Sequence, residues 1–476
     1  MNEFKPQALS EEEIRGWFGG VTDEEFALAR ERSLTPLKDE ILFQGIPGTA
    51  LVKDTTGKTY IDCTAQAWTL NSGYCNPDVL AAVAEQMKYL THVRYGYPTV
   101  PRIKLINRLG ELFPGDLKKV CLNIQGGGAA IEAAMKLAMI NKPGATTFLV
   151  AWRGYHGASL ATFGATHYMP YLSRFSGFGL GHFAKFPYPY CYRCPIGREP
   201  QTCDLACLEL VEGTIKYGVN TPVAGLIIEP MQGAGGQVPT PPGYLAGLKE
   251  ICEKYGIYLI YDECQTAFGR VGAMSAAEYY GVPPDMMVLS KSLGGGFPIG
   301  ALLARSDLKG FTAVEEHTTF GSSPLVFAAA LANIEVTLRM DLPAQARKQG
   351  ERIMAYLKDL QQKYEIIGDV RGAGLFIGVE LVDDRASRRP AIERAVAFVE
   401  MGKKLGVIFD VDMPDTTEMI PQRRNVIKIK PPLVITDEQV EKVLQVFTAC
   451  IDRVSQMTDE QKSGILQKMM AAALGG

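Results

Sequence analysis

The stretch GIYLIYDECQTAFGRVGAMSAAEYYGVPPDMMVLSKSLGGG, Gly256–Gly296, decides how the rest of the chain is read. It contains two apolar runs of strand length, Ile257–Tyr261 and Met286–Leu289. The first ends on an acid pair, Asp262–Glu263, and the second on Ser290–Lys291 followed by glycines. Short apolar runs bounded by turn residues predict buried parallel strands. Such sheets form their sites in the crevice outside the strands' carboxyl ends. Asp262 and Lys291 are therefore expected to project toward one crevice.

A buried carboxylate and a buried lysine make a structural ion pair in most settings. The order of apolar strand, Asp-Glu, apolar strand, Ser-Lys and glycines fits pyridoxal 5'-phosphate (PLP) chemistry better. The lysine forms a Schiff base with the aldehyde, and the carboxylate keeps the pyridine nitrogen protonated so that the ring accepts electrons. On these motifs the chain resembles the class III aminotransferases, from about Leu51 to about Ala449. The resemblance implies the fold-type-I architecture of PLP-dependent transferases. That means an α/β large domain with a mixed, mostly parallel seven-stranded sheet, and a smaller α/β domain.

The bulk numbers agree with an ordinary globular enzyme. At 476 residues, 47% apolar and 21% charged, the chain is too long for one simple core. The length prior suggests about three units of roughly 150 residues. A net charge of −3 gives no reason to expect nucleic acid or an anionic membrane as partner. Met1–Arg32 is acidic and helix-like, unlike a secretory signal or a basic transit peptide, and no apolar run is long enough to span a bilayer. A cytoplasmic enzyme is expected. Four of the ten cysteines, Cys191, Cys194, Cys203 and Cys207, share one short Pro- and Tyr-rich segment. A zinc site, a redox-sensitive disulfide and plain reduced thiols are all weighed there. The second pair is CxxxC and the gap between pairs is short for a zinc knuckle, so no metal is expected.

Along the chain, Ala50–Cys63 predicts a hairpin and Pro77–Leu90 a helix. Strands are expected at Val120–Leu122, Thr147–Trp152, Val223–Glu229, Ile257–Tyr261, Met286–Leu289 and Ala301–Ala304, with helices such as Tyr244–Tyr255 between several of them. Helices at Leu325–Leu338 and Pro343–Lys363 lead to shorter strands and helices. The expected division is an N-terminal segment at 1–80, a large PLP-binding domain at 81–340 and a small domain at 341–476.

Phosphate needs a glycine turn that opens a helix, where free N–H groups and the helix dipole converge. Gln125–Gly128 before Ala129–Met139 supplies one, with Gly127 and Gly128 as donors. Relatives usually carry Ser or Thr where Gly128 stands and Glu where Ala129 stands, so one hydroxyl is missing. By resemblance, Tyr155 lies over the pyridine ring, with His156 beside it. Glu229 belongs to the cofactor environment and Gln265 hydrogen-bonds the pyridine hydroxyl. Thr319 reaches the phosphate of a neighbouring subunit, which implies a homodimer, with a tetramer as the alternative assembly. Lys291 carries both the imine exchange and the proton shuttle at the substrate's Cα.

The substrate side departs from glutamate-type relatives. Their arginine before Pro-Pro is Lys428 here, their gate glutamate is Ala234, and the arginine after Tyr-His-Gly in 4-aminobutyrate enzymes is Ala158. Arg grips a carboxylate through a rigid fork, whereas Lys offers one mobile point charge. Lys428 is either a substrate anchor or a solvated surface charge. Arg423 and Arg424 lie in a polar loop just upstream, Arg424 being a candidate anchor, and Trp68 is the further candidate on this side. The expected activity is transfer of an amino group from an amine, ω-amino compound or amino acid to a keto acid or aldehyde. A racemase or epimerase and a phospho-lyase are the alternatives on the same scaffold. A non-catalytic PLP-fold protein is disfavoured by the intact Lys291, Asp262 and Gln265.

Overall fold

A computed structural model describes residues 9–35, 37, 41–167, 180–412 and 425–473. Its central feature is a seven-stranded sheet. The strands are β1 (Lys119–Ile124), β2 (Thr147–Ala151), β3 (Phe183–Phe186), β4 (Val223–Ile228), β5 (Tyr258–Asp262), β6 (Met286–Leu289) and β7 (Gly300–Ala304). Their spatial order is β1-β7-β6-β5-β4-β2-β3. Neighbours from β6 through β3 pair in parallel, and only β7 runs against both of its neighbours. The result is the mixed, mostly parallel sheet of fold type I.

The strands β4, β6 and β7 are apolar along their whole length because both faces of the sheet are covered there. Leu259 and Tyr261 of β5 join Leu226, Ile228, Met287 and Leu289 against Tyr244, Leu248, Phe327 and Ile334. Ile260 points the other way, with Ile227, Met286 and Val288, onto Ala130, Ile131, Ala134 and Leu137 of the Gly127–Asn141 helix. A strand of period two with both faces buried must be apolar, and β5 is so up to Tyr261, where Asp262 ends it.

The C-terminal half forms its own core. Strands Ile367–Ala373, Phe376–Leu381, Val426–Ile429 and Asp410–Asp412 make a four-stranded sheet in that order. Helices Leu342–Lys363, Ile392–Lys404 and Asp437–Ser455 supply Ile353, Leu357, Phe398, Val443 and Phe447 to it. The hairpin expected at Ala50–Cys63 forms strands Leu51–Asp54 and Thr59–Asp62. Its second strand pairs in parallel with Val407–Ile408, and Ala50, Ile61 and Cys63 enter the same core. Residues near both ends of the chain therefore pack together.

The expected elements recur to within a few residues, with helix Tyr244–Tyr255 and strand Met286–Leu289 at the expected ends. Strand β3 and the helices Val100–Leu112 and Cys207–Tyr217 were not anticipated. β3 is only four residues long and includes Lys185, as suits a strand at the sheet edge. The N-terminal helices Glu11–Gly16 and Asp23–Arg32 each begin with a capping box and bury no residue. Among the described residues no helix is long and apolar enough to cross a membrane.

Candidate active site

The carboxyl ends of β5 and β6 meet the start of the Gly127–Asn141 helix at a cavity of about 210 Å³. Gly127, Gly128, Tyr155, His156, Asp262 and Lys291 line it, with Ala158, Cys264 and Ser290. Six of the residues singled out in the sequence are thus brought together.

Asp262 is the last residue of β5 and is almost fully buried. His156 Nδ1 donates to its Oδ2 at 2.9 Å, and the Cys264 N–H donates to Oδ1 at 3.1 Å. Burial pushes such a carboxyl up, but the His156 bond and the charges of His156 and Lys291 prevail and hold it below the usual range. Its neighbour Glu263 points away. That carboxylate accepts from the Ala276 and Ala277 N–H groups at 2.8 and 2.7 Å and from the Thr266 hydroxyl. Burial pushes Glu263 up to about 7. The acid pair therefore splits into one residue facing the cavity and one that caps a short helix.

Lys291 opens the turn after β6 with φ of 46°, left-handed backbone that a non-glycine residue adopts only at a cost of roughly 1–2 kcal/mol. Ser290, just before it, donates to the Ile299 carbonyl at 2.7 Å and pins the turn. Glu229, just past β4, lies beside the cavity wall. It accepts from the Tyr155 N–H at 3.0 Å and from the Gly233 N–H at 2.9 Å, so it fixes Tyr155 through the backbone. Burial pushes Glu229 up to about 7, against the His156 charge and with the Asp262 charge. Gln265 is buried with Oε1 unpartnered, packed so closely on Gly233 that any side chain there would collide with its amide.

The residues present fit PLP. Gly126 caps the Gly127–Asn141 helix without a side-chain bond, so its first N–H groups stay open toward the cavity. A Cβ at Gly127 would lie 3.0 Å from Cys264 Sγ. His156 Nε2 and Gln265 Oε1 are buried polar atoms awaiting partners. A Cβ at Gly128 would make only ordinary contacts, at 3.6 Å to Thr162 Oγ1, so the missing hydroxyl is not a steric requirement.

The substrate side is built differently. Trp68 ends the turn Ala65–Trp68, whose four residues all have left-handed φ, between 43° and 66°. Asp62 anchors the turn by accepting from the Thr64 N–H and hydroxyl at 2.7 and 2.6 Å. Thr69 Oγ1 donates to the Gln66 carbonyl at 2.8 Å. Three amines surround the Trp68 ring. Lys430 Nζ lies 3.4 Å from its centroid, Lys428 Nζ 4.9 Å and Lys291 Nζ 5.4 Å. The indole N–H is buried without a partner.

Lys428 is not the solvated charge the sequence left open. It is 3% exposed and pairs with Asp412 at 2.8 Å and Asp410 at 3.0 Å. Burial works against its charge, but the two aspartates prevail and hold its pKa above the ordinary lysine value. Lys430, wholly buried, donates to the Thr64 carbonyl at 3.1 Å and lies 3.6 Å from Asp410. Burial, helped by the Lys428 charge, brings it down to about 7. Lys430, Asp410 and Asp412 were not anticipated. Their signal was the period-two spacing of KIK and DVD, since the antiparallel pair sets Asp410 opposite Lys428.

Arg423 and Arg424 lie outside the described residues. Ala158 is exposed at the cavity rim and Ala234 is buried. Thr319 and Phe320 are exposed. Cys191, Cys194, Cys203 and Cys207 are free thiols lining one cavity of about 430 Å³. Among the described residues no group of three His, Cys, Asp or Glu side chains is arranged to hold a metal ion.

Fold and cavity together define a PLP-dependent transferase of fold type I. Residues 46–451 match the family described as aminotransferase class-III, and the chain belongs to that family. It is 33% identical to a leucine/methionine racemase of Thermococcus litoralis, over 86% of this chain and 90% of that protein. It is also 33% identical to the acetylornithine aminotransferase of Methanosarcina mazei, over 84% and 89% of the two chains. A thermostable (S)-enantioselective omega-transaminase from Thermomicrobium roseum superposes with a TM-score of 0.80, at 27% identity over 92% of this chain and all of that one. The protein is a class III aminotransferase whose cofactor is PLP.

Proposed function

We propose that the amino donor is an uncharged amine or an ω-amino compound, and the acceptor a keto acid or aldehyde. One observation carries this reading. Lys428 stands where glutamate-type relatives place the carboxylate-binding arginine, and its charge is already met by Asp412 and Asp410. A substrate carboxylate would have to displace an acid from a buried pair, which leaves an uncompensated charge behind. Ala158 and Ala234 offer no replacement charge.

When bound, PLP supplies an electron-withdrawing ring that makes the donor's Cα–H acidic. The Gly127 and Gly128 N–H groups hold its phosphate, and Asp262 holds the proton on its ring nitrogen. Tyr155 covers its ring face, braced by Glu229, and Gln265 meets its hydroxyl. His156 keeps the Asp262 carboxylate oriented. Lys291 Nζ would anchor the cofactor and, once released, take the proton from the donor's Cα. Trp68 walls the donor pocket, with Arg424 as a further candidate contact.

The proposed assembly is a homodimer in which Thr319 donates to the partner's phosphate. The exposed apolar side chains of Phe320, Tyr97, Val100 and Ile103, with Thr319 itself open to solvent, support it. The division into 1–80, 81–340 and 341–476 is likewise proposed, supported by the separate cores. The ten free cysteines and modest net charge support a cytoplasmic location.

A racemase is the second reading, favoured by the similarity to two relatives named as racemases, of leucine/methionine and of alanine/serine. One experiment separates the two. Purified holoenzyme is incubated with neutral amines, ω-amino acids and single-enantiomer α-amino acids, with and without a keto acid. Keto acid-dependent loss of amine, fastest for uncharged donors, supports the proposal. Scrambled chirality of an α-amino acid without any acceptor overturns it in favour of the racemase.

A further inference from the structure

We propose that Lys430 is a positioning residue that fixes the Trp68 indole in the donor pocket, and thereby sets the size of donor accepted. The reading rests on the aminotransferase assignment above but concerns a residue outside the reacting groups.

Three observations converge on it. First, Lys430 contacts both the ring and the backbone that carries it. Its Nζ stands 3.4 Å from the indole centroid and donates to the carbonyl of Thr64, the residue that caps the Ala65–Trp68 turn. Second, that turn needs holding. Four successive non-glycine residues with left-handed φ do not persist unless their surroundings over-determine them. The turn's other bonds involve Asp62, Thr64, Thr69, Leu70 and Tyr74, and none of them reaches the indole ring. Lys430 does. Third, the amine is itself held from behind. Asp410 lies 3.6 Å away and is shared with Lys428, while the Lys430 N–H donates to the Cys63 carbonyl at 3.0 Å. The buried amine offers the indole face a donor N–H and, when protonated, a desolvated charge, the strongest form of this contact.

The geometry also shows why the ring matters for the donor. Lys291 Nζ, which handles the Cα proton, lies 5.4 Å from the same centroid. A donor held at that amine would therefore lie within reach of the indole. If Trp68 swings, the room beside Lys291 changes for bulky donors more than for small ones.

The test uses the holoenzyme in a Trp17→Phe, Trp152→Phe background, where Trp68 is the remaining indole of three. Lys430→Met keeps the length of the side chain and removes its charge and donor. It should raise acrylamide quenching of Trp68 about twofold or more. It should also shrink the kcat/KM preference for a small over a bulky neutral amine by about fivefold to tenfold, through KM rather than kcat. Lys430→Arg should restore part of both effects. Asp410→Asn, which leaves Lys430 in place, should move both readouts the same way by less, and serves alone if Lys430→Met fails to fold. Unchanged quenching in the folded variants overturns the proposal, as does an equal loss of kcat for both donors. Quenching is read without turnover, so it would still show whether Lys430 holds the indole in an enzyme that proved to use other donors.

Discussion

Asp262 and Lys428 are both buried charges, yet the protein treats them in opposite ways. Asp262 has one ionisable hydrogen-bond partner, His156, and faces the Lys291 amine across an open cavity. Lys428 has two carboxylates within 3.0 Å and an indole beside it. The first charge borders the cavity, where a ligand can still reach it. The second is enclosed by its own ion partners. Burial of a charge alone is thus a poor guide to function; what separates a binding group from a structural one is whether a ligand can still meet the charge.

The contrast can be broken at several points. Lys291→Ala should stop turnover, with a loss of about 10⁴-fold or more, since general base and cofactor anchor go together. Single-turnover and steady-state assays on the variant check this, and near-wild-type turnover would contradict the assignment. Asp262→Asn should lower kcat about 10²–10³-fold while PLP stays bound, because it removes a charge rather than a contact. Rates measured at saturating cofactor decide the matter. Lys428→Met should act on the fold instead. It leaves the buried Asp412 without its ion partner and Asp410 with Lys430 alone, at a cost of about 3–5 kcal/mol read by denaturant unfolding. Should Lys428→Met keep full stability yet lose one class of donor, Lys428 would be a substrate anchor after all.

Donor choice sharpens the same comparison. A neutral arylalkylamine or a diamine should exceed glutamate in kcat/KM by about tenfold or more, for want of a charge-assisted bond of about 1.5–3 kcal/mol to the carboxylate. A glutamate preference of that size would show that Asp410 and Asp412 yield Lys428 to substrate. The smallest effect belongs to Thr319→Ala. Loss of one hydrogen bond, about 1 kcal/mol, should speed PLP dissociation about fivefold. Equal dissociation rates would remove Thr319 from the phosphate site.

Much of the cofactor side was legible because its signals are local. Ile257–Tyr261 and Met286–Leu289 are apolar without interruption, so they had to be buried strands, and the charged residues Asp262, directly after the first, and Lys291, one past Ser290 after the second, had to lie at their carboxyl ends. The acid pair was harder. Only the fold separates Asp262 from Glu263, since Glu263 is drawn away by N–H groups of Ala276 and Ala277 thirteen and fourteen residues on. On the donor side the deciding contacts are non-local. Asp410 meets Lys428 through an antiparallel strand of three residues, too short to announce itself. Nothing in Ala-Gln-Ala-Trp signals left-handed backbone, where Gly or Asn would have. Period-two spacing hinted that Lys428 and Lys430 share a face, but not that Trp68 would cover it.

The Ala65–Trp68 turn carries a consequence for anyone remodelling this pocket. Side-chain libraries assume a backbone indifferent to what it displays, and this one is not. β-Branched residues at Gln66 or Ala67 would add strain to a segment already at four left-handed residues, so Gly and Asn should dominate the survivors of selection there. Enlarging the pocket at Trp68 itself exposes a second asymmetry. Trp68→Gly relaxes the backbone while it vacates the space, whereas Trp68→Val vacates it and keeps the strain. Two substitutions that look alike on a volume scale should therefore part company in expression yield and melting temperature, the glycine variant being the sturdier despite being the more flexible residue.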